Sequence, residues 1–288
     1  MAALVEACVA PPGEPPAAPG YALRPVRRWR EGRFAGGQDC IVEEVPVALL
    51  YNGEPYAVMM ATPRDLEDFA RGFSLSEAVI AHAGELAAIQ VQPRLEGIEL
   101  QLSIPPARAQ ALAARQRGIA GRSGCGICGA RLLEDVVRQP ARVGAAPAIA
   151  APVLHAALAR LGEGQALNAA TGAAHAAAWV HVDGHIALLR EDVGRHNALD
   201  KLIGAMATRG ENPGAGFVLL TSRASFEMVQ KAATAGIAYV AAISAPTALA
   251  IQVADAAGVT LVGFARGDSH IVYAQAPHGR VAPVEGAS

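Results

Sequence analysis

The sequence predicts an α/β fold: a mixed, mainly parallel central sheet with flanking helices, preceded by an N-terminal α+β portion. Two observations predict it. In the second half, short apolar runs at 217–221, 239–243 and 260–264 alternate with helical stretches, and strand–helix–strand repeats of this kind favour right-handed crossovers and parallel pairing. In the first half, apolar runs flank Asn52-Gly53, a hairpin signal because a type I′ turn needs positive φ at both central residues.

The 288 residues suffice for one large domain or two smaller ones. A chain of this size buries roughly three quarters of its unfolded surface, so folding needs neither disulfides nor a metal. The 24 basic and 26 acidic residues give no global case for nucleic acid or an anionic membrane. Aromatics at 5% argue against base-stacking platforms.

Residues 1–39 read as a disordered or extended leader, Pro/Ala/Gly-rich over 1–20. Residues 1–9 carry no basic region and include Glu6, unlike a signal peptide. Arg24, Arg27, Arg28, Arg30 and Arg33 read first as a solvated face, with a partner contact as the alternative.

A division at 40 opens the N-terminal α+β portion, 40–138. Strands are expected at 45–51 and 56–60. Thr62 and Pro63 suggest an N-cap and first helical position, with Leu66, Phe69, Ala70 and Phe73 as the buried stripe. Strands at 86–91 and 98–104 flank Glu96-Gly97, and Pro105-Pro106 opens a helix to about Arg117. Residues 139–153, with Pro140, Pro147 and Pro152, read as a linker.

The C-terminal α/β portion, 154–288, begins its strands at 178–182 and 185–190 around Asp183-Gly184. A helix follows with Leu199, Leu202, Ile203 and Met206 on one face. After strand 217–221 comes a helix from about Ser225 closed by Gly236; after strand 239–243 comes one started by Pro246 and closed by Gly258. Strands at 260–264 and 271–274 finish the set. The most apolar stretch, 237–264, is broken by Ser244, Pro246, Gln252, Asp255 and Gly258, which fits strand–helix–strand and not a membrane span.

Ligands of open α/β sheets sit outside the carboxyl ends of strands. There the sequence places Thr221-Ser222-Arg223, Ser244-Ala245-Pro246-Thr247 and Ala265-Arg266-Gly267-Asp268-Ser269. Helix N-termini at two of these loops favour anions, so a large phosphate-bearing ligand suits this edge; the competing reading makes Ser and Thr plain N-caps. The segment from Glu191 to Lys201 packs ionisable residues around a strand-to-helix junction: His196 titrates near neutrality and Asp192 either caps the helix or orients the imidazole. His175, in an alanine run, reads as structural.

Gly121-Arg122-Ser123-Gly124-Cys125-Gly126-Ile127-Cys128-Gly129 places two cysteines in a glycine-rich loop ahead of Leu132, Leu133, Val136 and Val137 at helical spacing. A helix N-terminus there favours thiolate. Zinc would need four ligands, and His155, His175 and His196 show no ligand spacing. A thioredoxin-type pair normally lacks this glycine padding. A thiolate passing sulfur on as a persulfide suits a loop of this kind. Cys8, in the leader, and Cys40, beside a strand, have no evident pairing; Cys40 reads as a buried inert thiol and the chain as soluble and cytoplasmic.

Gly124 to Gly129 (GCGICG), Glu191 to Gly204 (EDVGRHNALDKLIG), Glu227 to Ile237 (EMVQKAATAGI), Ser244 to Ala250 (SAPTALA) and Thr260 to Gly267 (TLVGFARG) together resemble the formate dehydrogenase accessory sulfurtransferase (FdhD) family. Met59 to Pro63 and 72–80 match its N-terminal pattern, and the resemblance covers roughly 41–273. It implies transfer of sulfur from a cysteine desulfurase, through a persulfide on Cys125 assisted by Cys128, to molybdenum in bis(molybdopterin guanine dinucleotide), on which formate dehydrogenase depends. A guanine nucleotide would mimic that acceptor. The family's cofactor-binding segment falls on Phe264, Ala265, Arg266, Gly267, Asp268 and Ser269; Arg223, Ser244, Thr247, Asp192 and His196 complete the expected site, with no metal ligand. The resemblance further implies a cytidine-deaminase-like fold and a homodimer. Thr221-Ser222-Arg223 departs from the family's Ser-Gly-Arg, and Ala173-Ala174 from its glycine pair, which bears on nucleotide contacts. The alternatives are a non-covalent molybdenum-cofactor-binding chaperone and, from fold analogy, a zinc deaminase, whose His-x-Glu before Pro-Cys-x-x-Cys is missing.

Overall fold

The computed structural model describes residues 20–119 and 140–276. Twelve strands and seven α-helices, named in chain order, form three sheets among these residues. The first is a hairpin of β1 (Tyr21–Arg30) and β2 (Arg33–Val42). It replaces the latter part of the expected leader. Cys40 within it is buried but is not an inert thiol: it is disulfide-bonded.

The second sheet has the order β4-β3-β6-β5, from β3 (Val45–Tyr51), β4 (Glu54–Ala61), β5 (Ala88–Pro93) and β6 (Ile98–Ser103). The Asn52-Gly53 turn has φ of 52° and 86°, the two positive values a type I′ turn requires. Its apolar face packs on α1 (Leu66–Ser76) through Val47, Leu49, Leu100, Phe69 and Phe73. Helix α1 begins three residues after Pro63, at an N-cap Asp65 with φ 50°, so Thr62 caps nothing. Its amide, carbonyl and hydroxyl all serve the second half of the chain instead. Helix α2 (Pro106–Ile119) starts where Pro105-Pro106 indicates.

The third sheet has the order β12-β11-β10-β9-β7-β8. It comprises β7 (His175–His181), β8 (Ile186–Asp192), β9 (Gly216–Leu220), β10 (Tyr239–Ala242), β11 (Thr260–Arg266) and β12 (Ser269–Ala274). It is mixed but not mainly parallel. Only β9–β10 and β10–β11 run parallel; β7–β8, β7–β9 and β11–β12 are antiparallel. The reason is connectivity: short turns join β7 to β8 and β11 to β12, and β7 lies antiparallel between β8 and β9, so the helical crossover through α5 joins two strands that point the same way but do not pair.

Both faces of this sheet are covered. Val218 and Leu220 point to one core, beneath α5 (Arg195–Arg209), α6 (Phe226–Thr234) and α7 (Ala248–Ala257). Phe217 and Leu219 point to the other, beneath α3 (Ala151–Leu161). Double coverage explains why β9 is an unbroken apolar run. Helix α3 starts at Ala151, so the expected linker ends before Pro152, and Ile149 within it is fully buried. The short helix α4 (Ala166–Thr171) was not expected.

The two halves join where α1 crosses α5. Gly72 and Gly204 meet backbone to backbone: a Cβ on Gly72 would lie 1.6 Å from the Asp200 carbonyl oxygen, and one on Gly204 1.9 Å from that of Asp68. Helix α5 therefore buries every residue from 197 to 206, where the sequence suggested a single apolar face. Lys231 of α6 reaches the same joint, donating to Asp200 and Glu77 at 3.0 and 2.8 Å. Burial works against this ammonium, but the two carboxylates outweigh it and hold Lys231 above its ordinary value. No helix among the described residues is long and apolar enough to cross a membrane.

Candidate functional site

Strand β8 runs antiparallel to β7, and β7 antiparallel to β9, so β8 points the same way as the parallel trio. The carboxyl ends of β8, β9, β10 and β11 therefore share one edge, and α5, α6 and α7 all begin there. Each loop is tied to the next. His196 in the first turn of α5 meets Glu227 in the first turn of α6, Nε2 to Oε2 at 2.8 Å. Thr247 N–H donates to the Ala224 carbonyl at 3.1 Å, and Phe264 N–H to the Ser244 carbonyl at 3.2 Å. Arg266 Nε donates to the Ile243 carbonyl at 2.8 Å. The three strand-end loops thus form one continuous floor.

The last of these loops is irregular. A register shift falls between Gly263 and Arg266, and Phe264 has φ 50°, uncommon for an aromatic residue. Bulges of this kind re-aim side chains. Here Phe264 is turned partly to solvent, with the Arg266 guanidinium 5.8 Å from its ring centroid. Gly267, φ 56°, starts the two-residue turn to Ser269 across Asp268. Gly263 admits no side chain, since a Cβ would lie 2.8 Å from Pro246 and 3.2 Å from the Ser244 carbonyl oxygen.

The edge is rich in cationic and donor groups. Arg195, Arg223, Arg266, His175 and His196 stand against Glu227 and Asp268. Helix α5 has no acidic residue in its first turn and no side-chain cap, and Ser225 at the start of α6 makes no capping bond. Among the described residues, Arg195 Nε and Ser225 Oγ are buried atoms without a hydrogen-bond partner. Such orphaned groups cost free energy unless a ligand or water satisfies them.

Several expected residues have other work. Asp192 is fully buried, and its carboxylate accepts from Thr62 N–H at 3.0 Å, Gly194 N–H at 2.7 Å and Asn197 Nδ2 at 3.0 Å. It also pairs with Lys201 Nζ at 2.6 Å, which donates in turn to the Thr62 carbonyl at 2.9 Å. Asp192 is therefore a positioning residue that fixes the start of α5 against the end of β4. Thr247 spends its hydroxyl capping α7, accepting from Ala250 N–H at 3.2 Å, so at this position the plain N-cap reading holds. Ala265 is fully buried in the core under α3. Arg223, Ser244, Arg266, Gly267, Asp268 and Ser269 do share the edge. Cys125 and Cys128 lie outside the described residues.

Arg195, within the Glu191–Lys201 cluster, reaches the edge at the start of α5; Ser225 and Glu227, absent from the expected site, reach it at the start of α6, where strand-end position is the available signal. His175, which reads as structural, opens β7, where its backbone is in register with Asp192 of β8. Burial pushes its pKa down, as does nearby Arg195; burial also pushes His196 down, partly offset by Glu227. His270 is lowered too, by burial and by His155, whose Nε2 lies 3.0 Å from its Nδ1. Because the unfolded chain binds these protons more readily, stability holds above the unfolded histidine pKa and is lost as pH falls below it. Thermal unfolding should accordingly shift to lower temperature between about pH 7 and pH 5. An unfolding midpoint that is flat or rising over that window would contradict the assignment.

Residues 42–281 match the FdhD/NarQ family. A sulfur carrier protein FdhD of Xanthomonas euvesicatoria pv. vesicatoria is 55% identical over 255 residues, covering 88% of this chain and 91% of the relative. That of Cupriavidus necator is 50% identical over 273 residues, covering 93% and 95%. The crystal structure of a candidate formate dehydrogenase accessory protein from Desulfotalea psychrophila superposes with a TM-score of 0.70 at 20% identity, covering 90% of this chain and 99% of that one. The chain shares its fold with that protein, and by sequence it belongs to the FdhD/NarQ family.

Proposed function

We propose that this chain is a sulfurtransferase that carries sulfur to a guanine-dinucleotide molybdenum cofactor for formate dehydrogenase. The relatives' name, sulfur carrier protein, supports the sulfur chemistry. The structural observation that carries the reading is the strand-end floor, where buried Arg195 Nε and Ser225 Oγ stay unpartnered beside two helix N-termini. That arrangement suits a multiply charged guest such as a dinucleotide's phosphates. The cofactor is substrate in this scheme, and Arg266, Arg223 and Arg195 are the residues to receive its phosphates, guanidinium being suited to bidentate contact.

The thiolate of Cys125 attacks the terminal sulfur of a persulfide on a cysteine desulfurase. The donor's S–S bond breaks, its cysteine thiolate leaves with the electron pair, and the sulfur is held as a persulfide on Cys125. No oxidant is consumed, because a persulfide is exchanged for a persulfide. Cys128 assists release. His196 and Glu227 stand at the floor as a hydrogen-bonded pair, Nε2 to Oε2 at 2.8 Å, placed to orient a guest. A homodimer, a cytoplasmic setting and kinship with cytidine deaminases belong to the same reading.

Calorimetric titration of the protein with GDP tests the floor. The wild-type chain should bind it. Arg266→Ala should lose about tenfold in affinity, the loss of one charge-assisted contact to phosphate. Undiminished binding by Arg266→Ala and Arg223→Ala together would place the guest elsewhere.

A further inference from the structure

The arginine hairpin forms a second charged surface, away from the strand-end floor. Directly opposed residues share a face of an antiparallel pair, and the register sets Arg28 opposite Ala35 and Arg30 opposite Arg33. Arg24 lies on that same face. Like charges directly opposed across two strands destabilise the pairing, so the Arg30–Arg33 pair has no folding rationale. Among the described residues, only Arg28 on this face has an ion-pair partner, Asp39 at 3.0 Å.

This face looks into a groove of about 760 Å³ shared with α4. Its walls carry Arg28, Arg30, Arg33 and Thr171 together with the acidic Glu31 and Asp39; Asp39 is taken up by Arg28, so Arg30 and Arg33 supply the groove's positive charge, while small residues such as Ala35 and Ala170 leave the floor open. The α4 wall is fixed, because the Glu191 carboxylate accepts both Leu167 and Asn168 N–H at 2.8 Å. A floor without large side chains admits an extended polypeptide backbone, and flanking guanidiniums match carboxylates.

We propose that this groove docks an acidic polypeptide segment of a partner protein. Nucleic acid fits less well. The hairpin's aromatic pair, Trp29 and Phe34, lies on the opposite face, with ring centroids 4.8 Å apart and Arg27 stacked 4.5 Å from the Phe34 centroid. Base-stacking surface is therefore not offered beside the arginines. The chain as a whole also carries a formal net charge of −2.

The test uses the full chain, a fluorescently labelled oligoglutamate peptide and a single-stranded oligonucleotide of equal length, followed by anisotropy. The wild-type protein should bind the peptide with an affinity that falls as salt rises. Arg30→Glu/Arg33→Glu should weaken it by about tenfold or more, since two attractions become repulsions. Arg30→Gln/Arg33→Gln, which only removes charge, should fall between and decides the matter if the reversed variant fails to fold. Absence of peptide binding, unchanged binding by these variants, or tighter binding of the oligonucleotide would overturn the proposal. GDP binding serves as the independent readout and should be unchanged in both variants.

Discussion

Asp192→Ala should destabilise the protein by about 3–5 kcal/mol, the usual cost of removing one partner of a buried ion pair. In a protein of this size that lowers the unfolding midpoint by on the order of 10 °C. The cost is large because the change leaves the Lys201 ammonium, fully buried, with the Thr62 carbonyl but no carboxylate. It also strips an acceptor from Thr62 N–H and Gly194 N–H. Burial already pushes Lys201 toward its neutral form, and Asp192 opposes that. Asp192→Leu/Lys201→Met should recover much of the loss, since well-packed apolar side chains often replace a buried pair at little cost. A loss in Asp192→Ala below about 1 kcal/mol, accompanied by lost GDP affinity, would instead make Asp192 a ligand-contacting residue.

The second large effect is expected at the α1–α5 crossing. Alanine normally favours a helix interior over glycine by about 1 kcal/mol. At Gly72 and Gly204 the sign should reverse, because each added Cβ would strike backbone, which cannot rotate away. Each single substitution should cost about 3 kcal/mol or more, at the upper end for overpacking. The double substitution should cost less than the sum, since once the helices are forced apart the second methyl meets little. Differential scanning calorimetry of the three variants checks this, and a stabilised Gly204→Ala would refute the close crossing.

Features encoded locally were legible in the sequence. Asn52-Gly53 announced its turn because positive φ is a property of the residues themselves. The strand-end loops were legible because parallel crossovers fix which end of each strand meets the next helix. What depended on distant packing was not. Thr62 followed by Pro63 looks like a helix start, but its groups bond to Val193, Asp192 and Lys201, more than a hundred residues away. Helix α5 shows one apolar stripe in the sequence, yet Asp200 and Lys201 are buried because Lys231 of α6 and Asp192 of β8 neutralise them, while Ser76 of α1 and the Thr62 carbonyl just past β4 complete their hydrogen bonds. Strands β1 and β2 carry arginines and glycines where apolar alternation would mark a strand, so they resembled a solvated leader. Within the site, the unpartnered Ser225 Oγ and Arg195 Nε are not legible, because the sequence does not tell which polar atoms are left without a partner.

The proposed sulfur transfer is tested most directly at Cys125. Incubation with a cysteine desulfurase and free cysteine, followed by peptide mass spectrometry without reductant, should show a gain of one or more sulfur atoms on the peptide containing Cys125. Cys125→Ala should show none, and Cys128→Ala should still be loaded. Equal loading of Cys125→Ala and wild type, or no sulfur gained by either, would contradict the account.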